Sequence, residues 1–280
     1  MKTERDETTL ENYFKTKIFF AFCLFFPSCW IFVSCEKVID PKLNLSESKI
    51  VIEGNIFDQS GPYTVSITRT LNYKERNNFP PVSGAVVKIQ DDFGNSEILT
   101  EASPGRYKTL TTQGIPGRTY TIDVIIDGKT YKAVSKMPPA VTIDTLRVEE
   151  LVTPSKVEKY ISATYSDPAD PDNYYRFIEI INGIEQSNIF IDNDQLKSQQ
   201  SITKALLSPP DNTEINSGDT VTVLLQAIDY NVYEYFRTLL QITNTDFVTA
   251  LPTNPLTNFG NGALGYFNAC AVRSKTIVIR

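Results

Sequence analysis

From Lys49 onward, apolar and polar residues alternate in short runs whose period is that of β-strands. Residues 49–54 place Ile50 and Ile52 on one face, with Val51 and Glu53 on the other. Residues 63–68 alternate at period two behind the turn pair Gly61-Pro62. The same pattern recurs at 85–90, 97–100, 106–109, 120–126 and 130–136. Asp91-Asp92-Phe93-Gly94-Asn95 separates two of these runs with turn-forming residues, and Asp127-Gly128 is a favoured two-residue hairpin turn. Seven short strands without helical periodicity predict an antiparallel, Ig-like β-sandwich over residues 48–139, closed by Met137-Pro138-Pro139.

Residues 140–280 carry a second set of runs, predicting strands near 143–151, 158–165, 174–181, 188–191 and 220–229. A helix is expected near 231–243. Tyr230, Val232, Tyr233, Phe236, Leu239 and Leu240 fall on one side at helical spacing, and Asn231 with Glu234 reads as a capping pair. Tyr235 lies off that stripe and is expected to be exposed. A Pro/Asn/Gly loop at 251–262 leads to closing strands near 264–272 and 276–279. The expected fold class is mainly β: two tandem β-sandwich domains, the second with one short helix.

The N-terminal region follows different rules. Residues 18–33 are apolar apart from Pro27 and Ser28, about 16 residues against the roughly 20 a spanning helix needs, and Lys15 and Lys17 flank them. This pattern predicts a signal peptide over 1–34. It ends in Ile31-Phe32-Val33-Ser34-Cys35, which resembles a bacterial lipobox with Phe32 in the usual leucine place. Cys35 is therefore the expected lipidation site, residues 35–47 a polar tether, and the membrane a partner reached through lipid.

Composition then narrows the chemistry. The 280 residues include no histidine, which excludes imidazole bases, His-containing catalytic triads and His-ligated zinc or haem. A net charge of −6 gives no basic surface for nucleic acid. Of four cysteines, Cys23 and Cys29 leave with the signal and Cys35 carries lipid, so Cys270 has no partner for an intramolecular disulfide. Carboxylates alone could hydrolyse glycosides, but no organised pair stands out, and an outward-facing role is expected for Glu53. The loop Asp167-Pro168-Ala169-Asp170-Pro171-Asp172-Asn173 has enough oxygens to invite calcium. Its alternate prolines favour a plain turn, and Asp192 and Asp194 are weaker candidates still. No catalytic, cofactor or metal residue is assigned. Aromatics gather at Tyr174-Tyr175, along 230–236 and at Tyr266-Phe267, mostly as expected core, with any exposed ones available to a glycan or peptide.

Several segments in order carry a resemblance: 48–54, Gly61-Pro62-Tyr63, Pro81-Val82-Ser83-Gly84-Ala85, Gly117-Arg118-Thr119-Tyr120, Asp127-Gly128-Lys129-Thr130-Tyr131, Asp172-Asn173-Tyr174-Tyr175-Arg176 and Leu264-Gly265-Tyr266-Phe267. They resemble the lipoproteins grouped as domain of unknown function 4249 (DUF4249). Residues 80–126 are also similar to the prealbumin-like, carboxypeptidase-regulatory sandwich. The resemblance implies an outer-membrane lipoprotein of Bacteroidota working beside a TonB-dependent receptor, facing either the cell surface or the periplasm. It implies no catalytic residues, and Cys35 is the one functional position it carries over. The expected function is a non-catalytic accessory protein of a nutrient transporter. Alternatives are a stand-alone surface glycan- or peptide-binding module and, last, a carboxylate hydrolase.

Overall fold

The computed structural model describes residues 48–280 except 72–78, 155, 170–171, 195–200, 208–213 and 244–253. The signal peptide, Cys35 and the tether lie outside the described residues. The first half contains β1 (Ile50–Phe57), β2 (Thr64–Arg69), β3 (Val86–Asp91), β4 (Ser96–Ile98), β5 (Thr100–Ser103), β6 (Arg106–Lys108), β7 (Thr119–Ile126) and β8 (Lys129–Lys136). The second contains β9 (Ile143–Val152), β10 (Val157–Ser166), β11 (Tyr174–Ile181), β12 (Ile184–Glu185), β13 (Phe190–Asn193), β14 (Ser201–Leu206), β15 (Thr220–Ile228), the helix α1 (Tyr230–Thr243) and β16 (Leu264–Val278). The described residues are mainly β with one helix, the fold class the sequence pattern predicts.

A nine-stranded sheet runs β12-β11-β15-β16-β1-β2-β6-β5, with β13 also on β11. Its pivot is β16, one continuous strand of 15 residues where two were expected. Its first half lies parallel to β1, pairing Ile52 with Gly265 and Ile56 with Ala269. Its second half lies antiparallel to β15, pairing Ala227 with Ala271 and Thr220 with Val278. Residues 48–139 and 140–280 are thus joined through one sheet. Gly265 is required there: its φ is +92°, and a Cβ would stand 2.0 Å from the Ile52 carbonyl oxygen.

Two smaller sheets cover this sheet. The four-stranded β4-β3-β7-β8 closes a first core in which Ile52, Ile56, Val65 and Ile67 meet Val87, Ile122, Val124 and Phe267. The three-stranded β14-β10-β9 closes a second core, in which Ile161, Tyr165 and Leu206 meet Phe177, Val223 and Leu225. Helix α1 packs on the opposite face of the shared sheet, setting Val232, Tyr233 and Phe236 against Tyr174, Ile228, Cys270 and Val272. Asp127 and Gly128 both have positive φ in the β7–β8 hairpin, the backbone a two-residue turn of that kind requires.

Two local expectations for the helix are corrected. Its cap is Asp229, whose Oδ1 accepts the Val232 N–H at 3.0 Å, while Glu234 forms an ion pair with Arg237 at 2.7 Å. Asp229 precedes the first helical residue, so its side chain reaches the unpaired N–H groups of the first turn. Tyr235 is 9% exposed, because Tyr266 on β16 rises to meet its ring at 4.8 Å. The exposed helical tyrosine is Tyr230, at 53%.

Candidate functional site

The end of the shared sheet near the β10–β11 connection gathers polar and aromatic side chains on both of its faces. On the helix side lies an open cleft of about 490 Å³. Tyr174 and Tyr230 form one wall, with ring centroids 5.4 Å apart, and Tyr233 backs Tyr174 at 4.9 Å. Pro138 and Pro139, leaving β8, form the other wall, and Lys136, Asp172 and Asp229 supply charge. An aromatic wall with a few polar groups can hold a ligand by stacking and hydrogen bonding.

Asp229 is not free to act on a ligand. Its Oδ1 caps α1, and its Oδ2 accepts the hydroxyl of Ser135, which in turn accepts the Ala269 N–H at 2.9 Å. Burial raises its carboxyl above the usual range, although these hydrogen bonds oppose the rise. The side chain ties helix, β8 and β16 together. Asp172 and Asp229 share the cleft, but the second is committed to structure.

On the opposite face of β11, strand parity builds a second polar group. Tyr165 and Asp167, Asn173 and Tyr175, and Asp192 and Asp194 are each separated by two residues, so each pair shares a side. The β11–β13 register sets Tyr175 opposite Asp192, and the Asp194 N–H donates to the Asn173 carbonyl at 3.2 Å. The Tyr175 hydroxyl donates to Asp167 Oδ1 at 2.5 Å and the Tyr165 hydroxyl to Asp192 Oδ2 at 3.2 Å. The Asn173 amide donates to Asp194 Oδ2 at 3.2 Å. Asp167 and Asp194 are buried, and Asp167 Oδ2 and Asp194 Oδ1 have no hydrogen-bond partner. Burial, with the charges of Asp194 and Asp192, raises the Asp167 carboxyl, and the Tyr175 bond works against that rise. Burial raises both tyrosine hydroxyls as well.

The structure brings together residues that the sequence left in separate weak candidates. Asp167 from the acidic loop is held by Tyr175 and Asp194 by Asn173, while Asp172 lines the cleft; Asp170 lies outside the described residues. Tyr174 and Tyr175 are both buried, on opposite faces of β11. Glu53 is exposed on β1, as its parity predicts. Asn261 holds β8 through the Thr130 carbonyl at 2.7 Å, a structural duty. Cys270 is fully buried, and desolvation pushes its thiol far up, away from reactivity. Sequence reasoning did not anticipate the roles of Ser135 and Asp229, although an aspartate directly before an apolar helical stripe is a capping signal.

No helix among the described residues is long and apolar enough to cross a membrane. A search of the curated proteins finds no match to the chain. The family model described as Domain of unknown function (DUF4249) matches residues 36–276, nearly all of the chain beyond the expected signal and both polar groups at the sheet end, and the protein belongs to that family.

Proposed function

We propose that the protein is a non-catalytic, lipid-anchored binding protein of the bacterial outer membrane that serves a TonB-dependent nutrient transporter. The observation that carries the binding role is the cleft, where a half-exposed Tyr230 leans on Tyr174 beside Lys136 and Asp172. Anchoring rests on the lipobox-like segment ending at Cys35 and the polar tether after it. Association with a transporter rests on the family resemblance.

Affinity capture of the tagged full chain from native outer membrane tests this reading, with co-recovery of a TonB-dependent receptor as the expected result. Capture of the chain without any such receptor refutes the accessory role. Cys35→Ser should release the chain from membranes, and tight retention of that variant refutes the anchor. A second reading, a stand-alone glycan- or peptide-binding module, is favoured by the exposure of Tyr230. In that case Tyr230→Ala abolishes retention on a glycan or peptide array while receptor capture is absent from the start.

A further inference from the structure

The first core opens at one end into a cavity of about 300 Å³, bounded by β3, β4, the segment 111–115 and the start of β7. It shares no residue with the tyrosine cleft. The ladders set Glu97 opposite Ile89 and Tyr120 opposite Asp91, so these four side chains share the inward face that the cavity enters. Both carboxylates are committed to the wall. Asp91 takes the Phe93 and Asn95 N–H groups on one oxygen, and the Asn95 amide and the Arg118 guanidinium on the other, at 2.8 and 2.6 Å. Glu97 accepts the N–H groups of Leu110, Thr111 and Thr112 and both threonine hydroxyls. Open to a ligand are Asn95 Oδ1, Thr111 Oγ1, Gln113 Oε1, whose amide nitrogen donates to the Asp58 carbonyl, and the guanidinium N–H groups that Asp91 does not take. Large apolar side chains stand around this polar mouth: Phe93 is 74% exposed, Leu110 77% and Ile115 43%. The Phe93 ring covers the Arg118 guanidinium at 4.5 Å with one face and turns the other to solvent, and the Ile115 N–H is held by the Tyr120 hydroxyl at 2.8 Å.

We propose that this cavity is a second ligand site and that it takes the end of a neutral saccharide. A sugar ring presents aliphatic C–H groups on its face and hydroxyls at its edge that both donate and accept. The free face of Phe93 suits the first, and the mixed amide, hydroxyl and guanidinium groups suit the second. An anion is disfavoured, because Asp91 and Glu97 outnumber Arg118 in the wall. A cation gains little from carboxylates whose lone pairs already hold N–H and O–H groups. An apolar molecule would strip water from the amides without replacing its hydrogen bonds. At about 300 Å³ the cavity is at the small end of ligand sites, room for a terminal sugar ring with the next one outside. Its walls are tied together before any ligand arrives, so binding needs little ordering of the chain.

Saturation-transfer difference NMR on the full chain in detergent tests the site, with the methyl glycosides of glucose, galactose, mannose and N-acetylglucosamine as probes. The expected result is saturable binding of at least one probe with a Kd on the order of 1 mM, and transfer strongest to its ring C–H protons. Phe93→Ala should weaken that binding about fivefold or more, and Phe93→Tyr should restore it, because the stacking face returns. Gln113→Ala should weaken it as well, by removing an acceptor at the mouth. Phe93 is exposed, so its variants should keep the wild-type melting temperature, which separates lost binding from lost fold. Tyr230→Ala should leave the binding unchanged. A wild-type chain that binds none of the four probes overturns the site. So does binding that Phe93→Ala and Gln113→Ala both leave intact, or binding that Tyr230→Ala abolishes, since the sugar then sits in the tyrosine cleft. Neither the lipid anchor nor that cleft contributes to this cavity, so an empty cavity would leave the proposed function standing.

Discussion

Replacing Glu179 with glutamine should stabilise the protein above neutral pH and leave it nearly unchanged in mild acid. Glu179 lies on β11 between Phe177 and Ile181, on the face that packs into the second core, and is 1% exposed. Its Oε1 has no hydrogen-bond partner, and its strand neighbour across the ladder is Val223. Desolvation alone raises its pKa from 4.5 to about 7. Between those values the folded state holds a proton that the unfolded state releases. The stabilisation is complete below the unfolded value and disappears as pH rises through the folded one. A rise of this size corresponds to about 3 kcal/mol. Glutamine keeps the shape and cannot ionise. Urea unfolding of both chains from about pH 5 to pH 8 should give a difference that grows with pH toward that magnitude. Asp167 and Asp229 also titrate high, but they are common to both chains and cancel in the difference. With no histidine in the sequence, little else changes charge in this window. Parallel stability profiles would refute the burial argument, because a carboxylate that costs nothing to ionise is not in a dry core.

Gly265→Ala should destabilise by about 3 kcal/mol or more, since it combines positive φ with a Cβ on top of the Ile52 carbonyl. Thermal melts against Gly128→Ala make the control: that glycine also has positive φ but no atom within 4 Å of its Cβ position, so the loss should be only about 1 kcal/mol. Asp229→Ala should cost roughly 2 kcal/mol by uncapping α1 and orphaning Ser135, and Asp229→Asn clearly less, because asparagine caps equally well. Equal losses for the two Asp229 variants in chemical denaturation would show that charge, not capping, is what this side chain provides.

The plainest strand to read is one whose inward positions are all apolar. In residues 120–126 every second position is apolar, and the structure buries Tyr120, Ile122, Val124 and Ile126 as that pattern requires, leaving the apolar Ile125 outward. Strand β14 was not legible: its inward positions are Ile202, Lys204 and Leu206, and the central lysine hides the alternation by keeping only its stem against the sheet. The single strand β16 divides in two on its pattern alone, because Arg273-Ser274-Lys275 is a polar run between apolar ones. Its ladder to β15 continues there regardless, since backbone hydrogen bonds do not depend on side-chain polarity. Tyr235 was misplaced for a different reason. A helical stripe measures burial against one flat surface, and here Tyr266 rises from the sheet to cover a wider arc. The acid cluster depends on the register between β11 and β13, and nothing in the local pattern of either strand specifies which residue faces which.

Three carboxylates at the second core are held in ways that their surroundings dictate. Glu179 lies between apolar neighbours in the middle of β11 with its Oε1 unpartnered, so a proton is the available remedy. Asp167 and Asp194 lie where the strands end, and each is held by one donor from the start of β11, Tyr175 for Asp167 and Asn173 for Asp194. Tyr175 and Glu179 are four residues apart on the same strand, roughly 13 Å at strand rise. Perturbations separated by that distance without a shared partner add independently. Glu179→Gln, which removes a buried ionisable group, and Tyr175→Phe, which removes the hydroxyl held by Asp167, should therefore change the unfolding free energy additively. A double variant in urea unfolding that departs from the sum of the two by more than about 0.5 kcal/mol would mean that both side chains belong to a single packed network instead of two separate depths of the core.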